Sequence, residues 1–221
     1  EKISIGKTIE GRDMWAVKIS DNPYADEDEP ELLFTGLIHA REVITPEVLF
    51  YTMDYLTDNY ASLPEVQNIV NNREIWFVVV VNPDGYYYNE VYMPDGGGMW
   101  RKNRRDNLDG TYGIDLNRNF GYMWGYDDEG SSPLTSSQTY RGTGPFSEPE
   151  VQNMRDFIIA HDFKIIVYYH SYSNLILWPW WYDYVMCDDN DIFQALGDSM
   201  SYYNEYDPSP AWDMYLANGV S

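Results

Sequence analysis

Two short stretches of this chain carry residues that could do chemistry together. In "GLIHAREVITPE", residues 36–47, His39 and Glu42 follow an apolar run at a spacing of three. In "KIIVYYH", His170 closes a second apolar run far along the chain. Neutral imidazole and carboxylate are the ligands that zinc takes in catalytic sites, where three protein groups leave one coordination position to water. His39, Glu42 and His170 would form such a set. Only three histidines occur, and the third, His161 in "IIAHD", falls where a helix end offers its last carbonyls. His-x-x-Glu alone is a weak signal, because Arg41 and Glu42 are also ordinary residues for a solvated turn between a strand and a helix.

The elements that must position these residues can be read from apolar periodicity. "DMWAVKIS" alternates as a strand and "ELLFTGLI" is a compact apolar run, with a turn-rich acidic loop between them. Residues 46–60 open on Pro46 and carry apolar residues at helical spacing, and "PEVQNIVNN" reads as a second helix. "EIWFVVVV" is a buried strand that ends at "NPDG", a turn signal. Residues 86–146 show little periodicity, and so long a loop region is usually functional. A helix follows in "SEPEVQNMRDFIIAHD", with Ser147 and Glu150 spaced as a capping box. "FKIIVYYHSYS" and "NLILWPW" are strands, and "DNDIFQALGDSMSYYNEY" is helical. Strands alternating with helices predict one α/β domain over residues 1–221, a three-layer sandwich about a mixed, largely parallel sheet. Ligands in such folds gather at the carboxyl ends of strands, which is where His39, Glu42 and His170 lie.

Further along, "NPDG", "MWRKNRR", "GIDLNRNF", "YRGTGPFSEPE" and "HSYSNLILWP" occur in that order. With these motifs the chain closely resembles the zinc metallocarboxypeptidases, the family of the pancreatic carboxypeptidases and their bacterial relatives, from about residue 5 to the last residue. The resemblance implies that His39, Glu42 and His170 bind one zinc ion and that Asp115 orients the ring of His39. It implies that Arg101 polarises the scissile carbonyl and supports the oxyanion. Asn117 and Arg118 match the pair that grips the substrate's terminal carboxylate, a task suited to a planar guanidinium. Arg41 and Tyr172 match positions lining the approach. Tyr215 matches the mobile tyrosine that closes over the bound peptide end. Lys102, Arg104 and Arg105 are expected to be surface charges.

The family pattern continues beyond "MYLANGVS", with a general-base glutamate on a central strand and a final helix. Residues 1–221 offer no substitute for that glutamate, since Glu42 is committed to the metal. On this reading the sheet is incomplete without a C-terminal segment, residues 1–221 alone are a poor catalyst, and a companion fragment from a nick after Ser221 completes the domain non-covalently. The residue that reads the departing side chain is also expected downstream, so its specificity is left open.

Composition narrows the partners. A hydrophobic content of 44% excludes a disordered chain, and a net charge of −22 repels phosphates, so nucleic acid and anionic membranes are not expected as partners. The lone Cys187 cannot form an internal disulfide and reads as an inert thiol. The cluster Asp26, Glu27, Asp28 and Glu29 and the "CDDND" stretch could bind calcium, although neither has the spacing of a calcium loop. The resemblance implies removal of C-terminal residues from peptides and proteins by a secreted or periplasmic enzyme. Trimming of cell-wall peptides by the same residues, or a zinc-binding module without catalysis, are the alternatives.

Overall fold

The computed structural model describes residues 1–221. Five strands form the main sheet in the order β1 (Lys2–Lys7), β2 (Asp13–Ile19), β4 (Glu74–Val78), β3 (Glu31–Thr35) and β5 (Phe163–Tyr168). The β1–β2 and β2–β4 pairs are antiparallel, whereas β3 runs parallel to both β4 and β5. The sheet is mixed, as the alternating pattern predicts.

Strand alternation splits the core into two layers. Trp76 and Val78 of β4 face one side, with Met14, Ala16 and Leu33, and pack under Val151, Met154 and Phe157 of α4 (Pro149–Ile159). Ile75 and Phe77 face the other side, against Leu49 and Leu56 of α1 (Ile44–Asn59) and Val66 and Val70 of α2 (Pro64–Val70). Every residue of β4 is buried, which is why its sequence is a continuous apolar run rather than an alternating one. Its one charge, Glu74, is met by Lys18 of β2 at 2.6 Å.

Several local expectations are corrected. "NPDG" is not a turn between elements but the start of α3 (Pro83–Tyr92): Asn82 caps it, accepting from Gly85 N at 3.0 Å, and Pro83 occupies the first turn. The same residues suit either role, and the polar tyrosine-rich continuation hid the helix. The Ser147–Glu150 capping box does not form. Here α4 begins at Pro149 with no side-chain cap, and Glu150 turns inward to accept from Ile9 N at 3.0 Å. His161 does not serve the helix carbonyls; its Nδ1 lies 2.5 Å from Glu31 Oε1. Two strands were not legible: β1, interrupted by Gly6, and β7 (Asp207–Pro210), which holds two prolines.

β7 pairs only with β6 (Leu175–Trp178), in a separate parallel ribbon beside α5 (Asn190–Asn204). β5 pairs only with β3, so its outer edge carries unpaired backbone groups, with Lys164 and Ile165 exposed. No helix is long and apolar enough to cross a membrane.

Candidate metal centre and substrate cleft

The turn after β3 is built to hold two ligands at once. Leu37 takes a positive φ of 50°, reversing the chain within a few residues of the strand. One hydroxyl, that of Thr45, clips the turn at both ends, accepting from Leu37 N and donating to Glu42 O, each at 2.9 Å. Asn82, one strand away, donates to Ile38 O at 3.2 Å and to Lys102 O at 3.1 Å, and Ala40 N donates to Arg101 O at 3.0 Å. The turn is therefore fixed against the segment that carries Arg101.

Within this frame the three expected ligands meet. His39 Nδ1 lies 2.8 Å from Glu42 Oε1, and His170 Nδ1 lies 3.2 Å from His39 Nδ1 and 3.1 Å from Glu42 Oε2. His39 and Glu42 are buried, while His170 is open on one side. Asp115 Oδ1 stands 3.2 Å from His39 Nε2, although the approach is oblique and Nε2 has no well-aligned partner. With a metal bound, the proton of His39 would sit on Nε2, on the side of Asp115, and Nδ1 would be a lone pair. Beside it stand a carboxylate oxygen and a second imidazole nitrogen, a donor set that would suit a cation between them. The donor set fits zinc.

Electrostatics agree. Burial would push the Glu42 carboxyl up, but hydrogen bonds from His170 and His39 outweigh it and hold the group down at about 2. Burial pushes His170 below its ordinary value, against the pull of Glu42, which favours the neutral imidazole a metal requires. Asp115 is fully buried, yet Arg101 and His39 overcome that burial and hold it well below the usual carboxylate range.

Next to the ligands lies a cleft of about 390 Å³, lined by Arg41, Arg101, Arg118, Glu129, Gln138 and Tyr215 among others. Arg101 is anchored by Nε and Nη2 to Asp115 Oδ2, at 3.1 and 2.9 Å. A short 3-10 turn, Leu116–Arg118, is capped by Asp115, which accepts from Asn117 N at 3.0 Å. That turn presents Arg118, whose Nε donates to Gly130 O at 2.9 Å and whose guanidinium lies 5.9 Å from the ring centre of Tyr215. Asn117 Nδ2 comes within 3.4 Å of His170 Nε2, joining this turn to the ligand set. Gly219 must be glycine, since a Cβ there would stand 2.6 Å from Arg118 O.

Tyr172 is the expected residue that does not join; it is 95% exposed and outside the cleft lining. The neighbouring cations are not free surface charges either. Lys102 is buried and donates to Thr135 O and Ser137 O, Arg105 donates to Glu148 at 3.0 Å, and Arg104 lies over the rings of Tyr88 and Trp100. Sequence reasoning missed Glu129 and Gln138, which sit in the aperiodic loop where nothing marks them. The acidic loop brings Asp21, Glu27 and Glu29 together rather than the expected quartet, and no such grouping forms around Cys187, which is buried. A larger cavity of about 480 Å³ lies at the amino ends of β3 and β4, but its main charges are already paired, Lys18 with Glu74 and His161 with Glu31.

The family profile described as Zinc carboxypeptidase matches residues 1–209. Zinc carboxypeptidase from Saccharothrix mutabilis subsp. capreolus is 37% identical over 227 residues, covering 98% of this chain and 52% of that protein. Carboxypeptidase B from Astacus astacus is 35% identical over 189 residues, covering 84% and 58% respectively. The crystal structure of the carboxypeptidase A from Helicoverpa armigera superposes with a TM-score of 0.88 at 28% identity, covering 100% of this chain and 55% of that one. The chain thus spans about half the length of the curated relatives it matches.

Proposed function

This chain belongs to the zinc carboxypeptidase family, and from that premise we propose that it forms the larger part of a metallocarboxypeptidase that hydrolyses the C-terminal bond of peptides and proteins. The observation that carries the proposal is the adjacency of two different binding functions. His39, Glu42 and His170 converge as metal ligands, and the neighbouring cleft is lined by three guanidinium groups.

His39, Glu42 and His170 would hold one zinc ion, which would supply Lewis acidity toward a carbonyl oxygen and lower the pKa of a bound water. Arg118, with Asn117, takes the terminal carboxylate of the peptide and so fixes which bond lies at the metal. Arg101, held rigid by Asp115, donates to the scissile carbonyl as negative charge develops there. Arg41 lines the entry, and Tyr215 stands where it can fold over the bound end. Asp115 orients His39 and Arg101 at once. Tyr172 retains a role only at the outer approach.

The general base is a glutamate from a further segment, whose strand pairs with the free edge of β5. That segment follows in the same chain or is retained non-covalently after a nick. Its carboxylate accepts the proton of the attacking water, assistance typically worth about 10²- to 10⁴-fold in rate, so residues 1–221 alone are inactive. The setting is secreted or periplasmic. For calcium, the candidate donors are Asp21, Glu27 and Glu29.

Substitution of Arg118 by Ala in the full-length protein tests the reading. Loss of charge-assisted hydrogen bonds to the carboxylate should raise KM for peptides with a free C-terminus by about 10- to 100-fold, with zinc content unchanged. An equal effect on peptides with an amidated C-terminus contradicts it. A wild-type enzyme that releases residues from cell-wall peptides, and not from ordinary ones, favours the cell-wall alternative.

A further inference from the structure

Away from the metal ligands, two glutamates that the proposed reaction does not use are buried side by side. Glu148 and Glu150, 1% and 0% exposed, flank Pro149 at the start of α4. Asn103, also 0% exposed, joins them: its Nδ2 donates to Glu148 Oε2 at 2.7 Å and stands 3.3 Å from Glu150 Oε2. The other end of the same side chain faces the cleft segments. Asn103 Oδ1 accepts from Ile114 N at 2.8 Å and Arg105 N at 3.3 Å, and the backbone N of Asn103 donates to Ile114 O at 3.0 Å. Arg101 lies two residues before Asn103, and Asp115, its carboxylate anchor, lies one residue after Ile114. Asn103 is thus the pin that holds both partners of the Arg101–Asp115 pair to the rigid start of α4.

The two carboxyls are not equivalent. Glu148 has a counter-ion, since Arg105 Nε donates to its Oε2 at 3.0 Å, and Ser147 Oγ donates to its Oε1. Glu150 has only neutral donors, Ile9 N and the shared amide of Asn103. Of the charged groups nearby, Arg12 of the adjoining turn pairs with Glu10 of that turn at 2.6 Å and with Asp84 of α3 at 2.7 Å. Burial, reinforced by the charge of Glu148, pushes the Glu150 carboxyl up to about 7, against the donors Ile9 N and Asn103.

We propose that the Glu148–Asn103–Glu150 bridge is a positioning device for Arg101, which holds the guanidinium in place while Glu150 is neutral and loosens it once Glu150 is ionised. The step is loss of one proton from the Glu150 carboxyl to solvent. Two buried like charges then share one amide, and their repulsion draws Asn103, and with it Ile114 and Asp115, out of register. A displacement of about 1 Å at a positioning group can cost about 10²-fold in rate. The inference rests on the reading that Arg101 acts on the scissile carbonyl.

The test uses the full-length, zinc-loaded protein and a peptide with a free C-terminus, with kcat and KM measured from about pH 5.5 to about 9. Glu150→Gln has the shape of the neutral acid and cannot ionise. Wild type should lose kcat through a limb centred near 7, with KM little changed, and Glu150→Gln should lack that limb. Asn103→Ala should show kcat about 10- to 100-fold lower below about pH 7 and approach wild type above it. Superimposable profiles for wild type and Glu150→Gln overturn the proposal, as does an Asn103→Ala protein with wild-type kcat at the acid end of the range. A second measurement needs no turnover. A carboxyl raised in the folded state contributes stability that is present below its unfolded value and lost as pH rises to its folded one, so the melting temperature of wild type should fall relative to Glu150→Gln between about pH 4.5 and about 7 and level off above that. A constant gap overturns the device even if Asn103→Ala fails to fold. A wild type inactive on all peptides refutes the proposed reaction instead, and the melting comparison still decides the bridge.

Discussion

Strands β3 and β5 each carry a chemically capable residue at both ends, and the two ends have opposite fates. At the amino ends, Glu31 opens β3 and His161 precedes β5; Glu31 accepts from Asp162 N at 2.6 Å and meets His161 Nδ1 at 2.5 Å. One imidazole and one backbone amide satisfy one carboxylate, and nothing is left over. At the carboxyl ends, His39 and His170 share the single carboxylate of Glu42, and their two Nδ1 atoms lie 3.2 Å apart. The residue types are the same. The difference is that two imidazoles crowd one carboxylate, and that crowding, rather than the presence of a histidine beside a carboxylate, marks the candidate metal centre.

Substitutions at the two ends should separate sharply. His39→Ala in the full-length protein should abolish stoichiometric zinc binding, read by elemental analysis after dialysis, and abolish activity with it. Retention of zinc at the wild-type level would remove His39 from the ligand set. Asp115→Asn keeps the shape but weakens the hold on His39 and Arg101, so metal affinity should drop about 10- to 100-fold by competition with a chelator. An unchanged affinity would mean that Asp115 serves Arg101 alone.

Acid should expose the same asymmetry in the metal-free protein. The folded value of Glu42 lies below its unfolded one, so its contribution to stability is present above about 4.5 and lost as pH falls toward about 2. His170, lowered by burial, charges less readily in the folded state, so it too costs stability as pH falls below its ordinary value. Metal-free wild type should therefore lose melting temperature on acidification more steeply than Glu42→Gln, and parallel curves would contradict this. The smallest effect belongs to the amino ends. Glu31→Gln should cost about 1–3 kcal/mol of stability by denaturant unfolding, with zinc content and kcat/KM intact. Loss of zinc in that variant would erase the distinction between the two ends.

The parts of this arrangement that the sequence disclosed were those written in local periodicity or in short motifs. β4 and β3 are apolar runs, α1 and α4 have helical spacing, and the three ligands stand at strand ends where an α/β fold collects its chemistry. What stayed hidden depends on partners distant in sequence. β1 pairs with β2 in spite of Gly6, and β7 is a strand with two prolines because only one neighbour needs its amides. Glu150 looked like a capping residue because its spacing from Ser147 is right, and only the approach of Ile9, 141 residues away, turns it inward. Lys102 looked like a surface charge because nothing in "WRKNRR" announces the carbonyls of Thr135 and Ser137 that receive it.

Thr45 has a consequence for both ligands of that turn. Its hydroxyl closes the turn that bears His39 and Glu42 using only backbone groups of the chain. The spacing of His39 and Glu42 is thus tied to that one hydroxyl, and Thr45→Val should disturb both ligands together. A single methyl-for-hydroxyl exchange, far smaller than the loss of a ligand, would then be felt at two ligand positions at once.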